Sequence, residues 1–234
     1  RASRAVSRAQ PATYTAAFAH RADLFAAVSV GTRNVHFGVF GNSAYDFFGN
    51  RLIFPILNTY GEPIGFTART LETNPSFAKY KNSSQSLIFD KSRIVYNLNS
   101  VRELKKQQQI HNIIICEGTI DVIAMYKAGF KNTVACMGTA FTTYHARELR
   151  KFSDKVLLCL DGDNAGQNAM YKAIDVLLDN GLEVKVVKLR DNLDPDEFLK
   201  KYGPEELKKC LDLAIDAIEY KLITLGKRYN LQDN

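Results

Sequence analysis

From His111 onward the chain alternates short apolar runs with amphipathic helical stretches, and this alternation is the strongest constraint on its fold. "NIIICEG", "NTVACMG", "KVLLCLDGD" and "EVKVVKL" are short, rich in Val, Ile, Leu and Cys, and have no turn former in their apolar stretch, as buried strands do. Between them stand "TIDVIAMYKAG", "TTYHARELRKF" and "NAGQNAMYKAIDVLLDNG", each with helical spacing of apolar residues. Gly129 and Gly181 fall where two of these helices should stop in a left-handed residue. Strand and helix in turn predict βαβ units and a mostly parallel sheet flanked by helices. "PEELKKCLDLAIDAIEYKLITLGKRY" is predicted to be one long final helix, with Pro204 in its first turn.

In open α/β sheets the functional crevice lies beyond the carboxyl ends of the strands. Three of these four strands deliver acids there. The first ends in Glu117-Gly118, with Asp121 in the next turn. The third ends in Asp161-Gly162-Asp163, and the fourth runs into "RDNLDPDEF", with Asp194, Asp196 and Glu197. Asp-Gly is an ordinary turn dipeptide and Asp an ordinary helix cap, so any one acid has a bland explanation. Acids from three strands at one edge would repel each other and raise each other's pKa values unless a cation lay among them. A hard divalent ion with oxygen ligands, bound together with substrate phosphates, meets that requirement. Gly118 and Gly162 would let a phosphate approach the backbone. The pattern predicts a metal-dependent phosphoryl-transfer site.

The preceding half reads differently. Residues 1–110 carry 14 Lys and Arg against 6 Asp and Glu, whereas residues 111–234 carry 17 against 19, within a chain of net charge +6. A basic half joined to an acidic one suits a polyanion on one side and a cation on the other. "RLIFPIL" and "PIGFTART" flank "NTYGE" and predict a β-hairpin; "SVRELKKQQQ" predicts a charged helix. The first twenty residues, rich in Arg, Ala and Ser and free of acids, read as a poorly defined basic arm, a composition shared with organellar transit peptides.

No run of about 18 apolar residues predicts a membrane span. The four cysteines form no C-x-x-C pair and three lie in strand-like runs, so they read as buried thiols of a reducing compartment. The four histidines have no ligand spacing and read as packing residues.

"CEGTIDVIAMYKAG", "LDGDNAGQNA" and "DPDEFL" together resemble the Toprim domain, with Glu-Gly after the first strand and Asp-x-Asp after a later one. "YDFFGNRLIFPILNTYGEPIGFTART", "KYKNSS" and "IFDKSRIVYNL" resemble the basic subdomain that precedes Toprim in bacterial DnaG-type primases. The match in order and spacing is clear from about Tyr45 to Tyr202.

The resemblance implies a Toprim-type α/β sheet behind a smaller mixed α+β basic subdomain. It divides the chain into an arm (1–20), a basic subdomain (21–110), a Toprim domain (111–203) and a C-terminal helix (204–234). It implies a DNA primase catalytic core, a nucleotidyltransferase that makes short RNA primers on single-stranded DNA during replication. Glu117, Asp161 and Asp163 would be its catalytic acids and metal ligands, with Asp121, Asp194 and Asp196 as further metal-binding acids. Arg51, Arg69, Lys79, Asn82, Ser83 and Lys91 would contact template and nucleotide phosphates. Gly49 stands where many members carry a basic residue, and Lys81 where an apolar one is usual.

The implied cofactor is Mg²⁺, with Mn²⁺ as a substitute and no zinc in this stretch. The implied partners are template DNA, ribonucleoside triphosphates, the RNA primer and, through a domain not contained in the sequence, the replicative helicase. The implied place is the bacterial cytoplasm, at the replication fork. A Toprim nuclease or topoisomerase, and a non-catalytic nucleic-acid-binding module, are the alternative readings. A strand-attacking tyrosine domain is not evident, and the intact acids disfavour the binding module.

Overall fold

The computed structural model of the chain describes residues 37–40, 43–73, 76–137, 140–160 and 164–229. The predicted basic arm and the Asp161-Gly162-Asp163 segment lie outside the described residues. Two compact units divide at Pro55/Ile56, Ile64/Gly65 and Ser83/Ser84.

In the first unit, β1 (Phe37–Phe40) pairs antiparallel with β2 (Ser43–Asp46). A three-stranded sheet follows in the order β3 (Arg51–Leu57), β4 (Pro63–Thr70), β5 (Tyr80–Asn82). The predicted hairpin is therefore present. Pro55 is tolerated in β3 because an edge strand can lack one donor. The turn, which falls in the second unit, is closed by Asn58: its carbonyl accepts from the Gly61 N–H at 3.0 Å, and its side-chain oxygen accepts from the N–H groups of Tyr60 and Glu62. Gly61 has φ +89°, a left-handed position that glycine occupies without strain.

The second unit is built on a five-stranded sheet. After α1 (Leu98–Gln107) the chain runs through β6 (Ile113–Cys116), α2 (Thr119–Lys127), β7 (Thr133–Ala135) and α3 (Thr143–Arg150). It continues through β8 (Lys155–Leu158), α4 (Asn164–Asp179), β9 (Glu183–Val186), α5 (Pro195–Asp212), β10 (Ile215–Asp216) and α6 (Ala217–Tyr229). The sheet order is β10-β9-β8-β6-β7, parallel except for β10. All four residues of β6 are buried, as expected of a strand in the middle of a parallel sheet, where both faces are covered. Its Ile113 and Ile115 join Val156, Leu158, Val184, Val186, Leu149, Ile174 and Leu177 in the main core.

One expectation is corrected. The C-terminal region is two helices rather than one. α5 begins at Pro195 and bends at Gly203 (φ +80°), ahead of Pro204. The chain then pairs Ile215 with Val186 and Asp216 with Lys185, adding an antiparallel edge to the sheet. Asp216 next accepts from the N–H of Ile218 at 2.8 Å and starts α6. Asp216 and Glu219 have the spacing of a helix-start signature, and the edge strand satisfies backbone groups that a continuous helix would have to bond internally.

Residues 84–110 read in the sequence as part of the basic subdomain. They belong with the parallel sheet in the compact division. Tyr96 bridges Ala135, the last residue of β7, the Asn97 amide donates to the Thr133 carbonyl at 2.9 Å, and Leu98 and Val101 of α1 enter the main core.

Candidate active site

The strand order places a switch point between β6 and β8. From β6 the chain moves by α2 to β7 on one side; from β8 it moves by α4 to β9 on the other. The crevice beyond the carboxyl ends of such a pair is the expected ligand site of an open α/β sheet. β6 and β8 are hydrogen-bonded neighbours, with Ile115 opposite Leu158, and the Cys159 N–H donates to the Ile115 carbonyl at 2.9 Å. Glu117 leaves the first of these strands and the Asp161–Asp163 segment follows the second.

Glu117 is half-buried. Gly118, in extended conformation, caps α2, and its N–H donates to Asp121 Oδ2 at 3.1 Å. A Cβ on Gly118 would stand 2.9 Å from that oxygen. The glycine therefore makes room for the Asp121 carboxylate, where the sequence had suggested room for a phosphate. Asp121 is buried, and its negative charge sits at the positive end of α2.

The acids after β9 are arranged otherwise. Asp194 is the N-cap of α5 and accepts from the Glu197 N–H at 2.7 Å, with Pro195 at the first helical position. Asp196, in the first turn, pairs with Lys200 at 2.5 Å. Asp191, at φ +61°, accepts from Lys201 and from the Tyr202 hydroxyl, and these donors hold its carboxyl below the usual carboxylate range. The signal missed in "DPDEF" is the combination of N-cap Asp, first-turn Pro and first-turn acids.

Among the described residues, no three His, Cys, Asp or Glu side chains are grouped so as to hold a metal ion. Glu117, Asp121, Asp194 and Asp196 thus do not form a three-ligand site on their own. Oxygen donors of this kind suit a hard divalent cation.

The basic residues also separate. Arg51 is buried. Its guanidinium donates to the carbonyls of Ala78 at 2.8 Å, Lys79 at 3.1 Å and Ala68 at 3.4 Å, and lies 5.0 Å from the Phe77 ring centroid. Arg51, expected on a phosphate, here ties together the backbone of its own sheet. Ser83 Oγ accepts from the Phe66 N–H at 2.9 Å, which is also a scaffold contact. Arg69 stands opposite Tyr80, with its guanidinium 5.9 Å from that ring, and Asn82 stands opposite Thr67. Lys79 is exposed.

Lys91 opens a short 3₁₀ turn, Lys91–Arg93. Asp90 caps it, accepting from the Ser92 N–H at 2.9 Å and the Ser92 hydroxyl at 2.7 Å. From the other side the first turn of α3 holds it. Thr142 Oγ1 donates to the Ser92 carbonyl at 2.8 Å, the His145 imidazole bonds the Lys91 carbonyl through Nε2 at 3.2 Å, and the Arg93 guanidinium lies 4.8 Å from the Tyr144 ring centroid. His145 is fully buried, and burial holds its imidazole below the ordinary histidine value. The sequence predicts His145 as a packing residue; Thr142 and His145 stand three apart, the spacing of a capping box.

Comparison with known proteins finds a match for each half of the chain. A family described as the N-terminal domain of the DNA primase catalytic core matches residues 3–102, and a Toprim-like family matches residues 114–199. The chain is 45% identical to the DNA primase of Lactococcus lactis over 181 residues, covering 76% of this chain and 28% of that protein. It is 38% identical to the DNA primase of Helicobacter pylori strain J99 over 205 residues, covering 85% and 36%. The chain thus spans about a third of the length of the curated relatives it matches.

Among solved structures, the E. coli primase catalytic core aligns with TM-score 0.74 at 29% identity, over 82% of this chain and 61% of that one. A DnaG primase catalytic domain bound to single-stranded DNA aligns with TM-score 0.73 at 30% identity, over 81% and 60%.

Proposed function

Because the chain belongs to the DnaG-type DNA primase family, we propose that it is the nucleotide-joining portion of a primase, extending short RNA primers on single-stranded DNA. The observation that carries this reading is the switch point: the strands that lead to Glu117 and to Asp161 are parallel neighbours, and the chain departs from them in opposite directions.

In this reading Glu117, Asp161 and Asp163 hold Mg²⁺, or Mn²⁺ in its place. The described acids supply hard oxygen donors but do not reach three ligands without the Asp-x-Asp segment. When bound, the cation neutralises triphosphate charge and favours an ionised attacking hydroxyl. Glu117 stands where a metal ligand or a general base is needed, on a strand end fixed by the sheet. Asp121 acts at one remove, holding the Gly118 N–H and with it the start of α2. Lys79, Arg69 and Lys91 bind template and nucleotide phosphates, and Asn82 adds a polar contact. Joining then follows from attack of the primer 3′-hydroxyl on the α-phosphate, with pyrophosphate leaving.

The test is incorporation of labelled ribonucleotide into a primed single-stranded template with Mg²⁺ or Mn²⁺, beside a supercoiled-plasmid nicking control. Template-dependent incorporation that Glu117→Gln removes supports the proposal. Nicking without incorporation would favour a Toprim nuclease.

A further inference from the structure

The turn at Lys91–Arg93 is held at every residue except at the lysine head. Asp90 takes the Ser92 N–H and hydroxyl, Thr142 takes the Ser92 carbonyl, His145 takes the Lys91 carbonyl, and the Tyr144 ring lies against Arg93. The Lys91 ammonium makes no ion pair or hydrogen bond among the described residues. Three of these contacts come from one short stretch at the start of α3, its N-cap Thr142 and positions 144 and 145. A surface turn needs no such fixation for stability alone, whereas a lysine that meets a phosphate gains from having its backbone settled beforehand.

The tautomer of His145 follows from its partners. The Thr142 N–H, 3.3 Å from Nδ1, can only donate, so Nδ1 accepts. The Lys91 carbonyl can only accept, so Nε2 carries the proton and donates. A neutral imidazole thus joins the start of α3 to the Lys91 turn.

We infer that His145 is a positioning residue for Lys91: with Thr142, it fixes the carbonyls of the turn so that the free ammonium is preset to receive a phosphate. The inference rests on the reading of Lys91 as a phosphate contact. The phosphate belongs either to a ribonucleoside triphosphate or to the template backbone, and the two are separable by assay.

The experiment is a double-mutant cycle on Lys91→Ala and His145→Leu, with His145→Gln as the conservative variant, since a Gln amide offers one acceptor and one donor. Three quantities are measured on the purified chain: affinity for a labelled single-stranded oligonucleotide, KM and kcat for the ribonucleotide in primer extension, and the melting temperature. His145→Leu should weaken the same ligand that Lys91→Ala weakens, by about tenfold, with a smaller change in kcat. His145→Gln should recover to within about twofold, and the double variant should be no worse than Lys91→Ala alone.

A loss in KM marks the nucleotide as the source of the phosphate; a loss in oligonucleotide affinity marks the template. If the two losses multiply in the double variant, His145 acts independently of Lys91 and the inference falls while the Lys91 reading stands. If Lys91→Ala binds both ligands like wild type, the Lys91 reading itself falls and takes the inference with it. Should His145→Leu fail to fold, Thr142→Ala, which removes the Ser92 carbonyl contact, completes the same cycle.

Discussion

The strand ends after β6 and after β9 carry similar acids at the same edge of one sheet, yet the structure uses them differently. After β9, Asp191 is bonded to Lys201 and Tyr202, Asp194 caps α5, and Asp196 is paired with Lys200. Each of these charges is accounted for by the helix it starts or the loop it folds. After β6, Asp121 caps α2 from N3, but Glu117 comes off a central strand beside the switch point and starts no helix. An acid in a strand-end loop is therefore ambiguous until its neighbours are known. Asp or Glu beside a helix start is helix chemistry first, and an acid ahead of the N-cap is the stronger candidate for substrate chemistry.

The sharpest way to break this comparison is to remove one charge from each end. Glu117→Gln should cut primer extension by about 10²–10³, the scale of losing one electrostatic group at a reacting centre, with the melting temperature little changed. Asp194→Asn should leave extension within a few-fold of wild type, because Asn caps a helix about as well as Asp. Steady-state extension and thermal melting on the two variants decide it. An Asp194→Asn protein that melts normally but does not extend primers would make Asp194 a ligand and erase the distinction between the two ends.

The parallel sheet, its four strands and the helices between them were legible in the sequence because buried parallel strands are short, continuous apolar runs. The edge strand Ile215–Asp216 was not, because two residues pairing with β9 carry no period of their own and lie inside a helical pattern. Glu117 was legible as a strand-end acid. The burial of Arg51 was not: its partners are the carbonyls of Ala68, Ala78 and Lys79, and a sequence names side chains but not which carbonyls will be left to satisfy. His145 was missed for a similar reason, since its second partner is the carbonyl of Lys91, far away along the chain.

The same contrast holds among the basic residues and gives the next effect in size. Arg51→Met should lower stability by roughly 1–3 kcal/mol, since buried carbonyls lose charged donors. Lys79→Ala should leave stability alone. If Lys79 meets template phosphate, its loss should instead shallow the slope of log K against log salt by about one unit. Denaturant unfolding and oligonucleotide binding at several salt concentrations separate the two. An Arg51→Met protein of normal stability with a shallower salt slope would return Arg51 to the phosphate track.

Gly118→Ala tests the β6 end more gently. The added methyl meets Asp121 Oδ2 at 2.9 Å, so the carboxylate must leave the Gly118 N–H. A loss of about 1 kcal/mol is expected, the usual net worth of one such bond. Gly118→Ala combined with Asp121→Ala should cost no more than Asp121→Ala alone, because the clash goes with the carboxylate. Additive costs would place the need for glycine elsewhere, in the approach of a ligand.

The smallest effect is one of pH. Burial is the main cause that holds the His145 imidazole below its ordinary value of 6.5, against the opposing pull of the Lys91 carbonyl and the Asp90 carboxylate. In the unfolded chain the imidazole takes up its proton as the pH falls through 6.5; in the folded chain it does so only at lower pH. The unfolded state thus binds more protons in this window, and the stability present above it is lost as the pH falls. Protonation at Nδ1 would set an N–H against the Thr142 N–H, which can only donate, so the charged form also loses its cap contact. Melting temperatures of wild type and His145→Gln between about pH 7.5 and about pH 5.5 should diverge, with wild type falling faster as the pH drops. Parallel curves would mean that the imidazole titrates in the folded protein as it does in the unfolded chain, and that the hold of α3 on the Lys91 turn does not depend on a neutral ring.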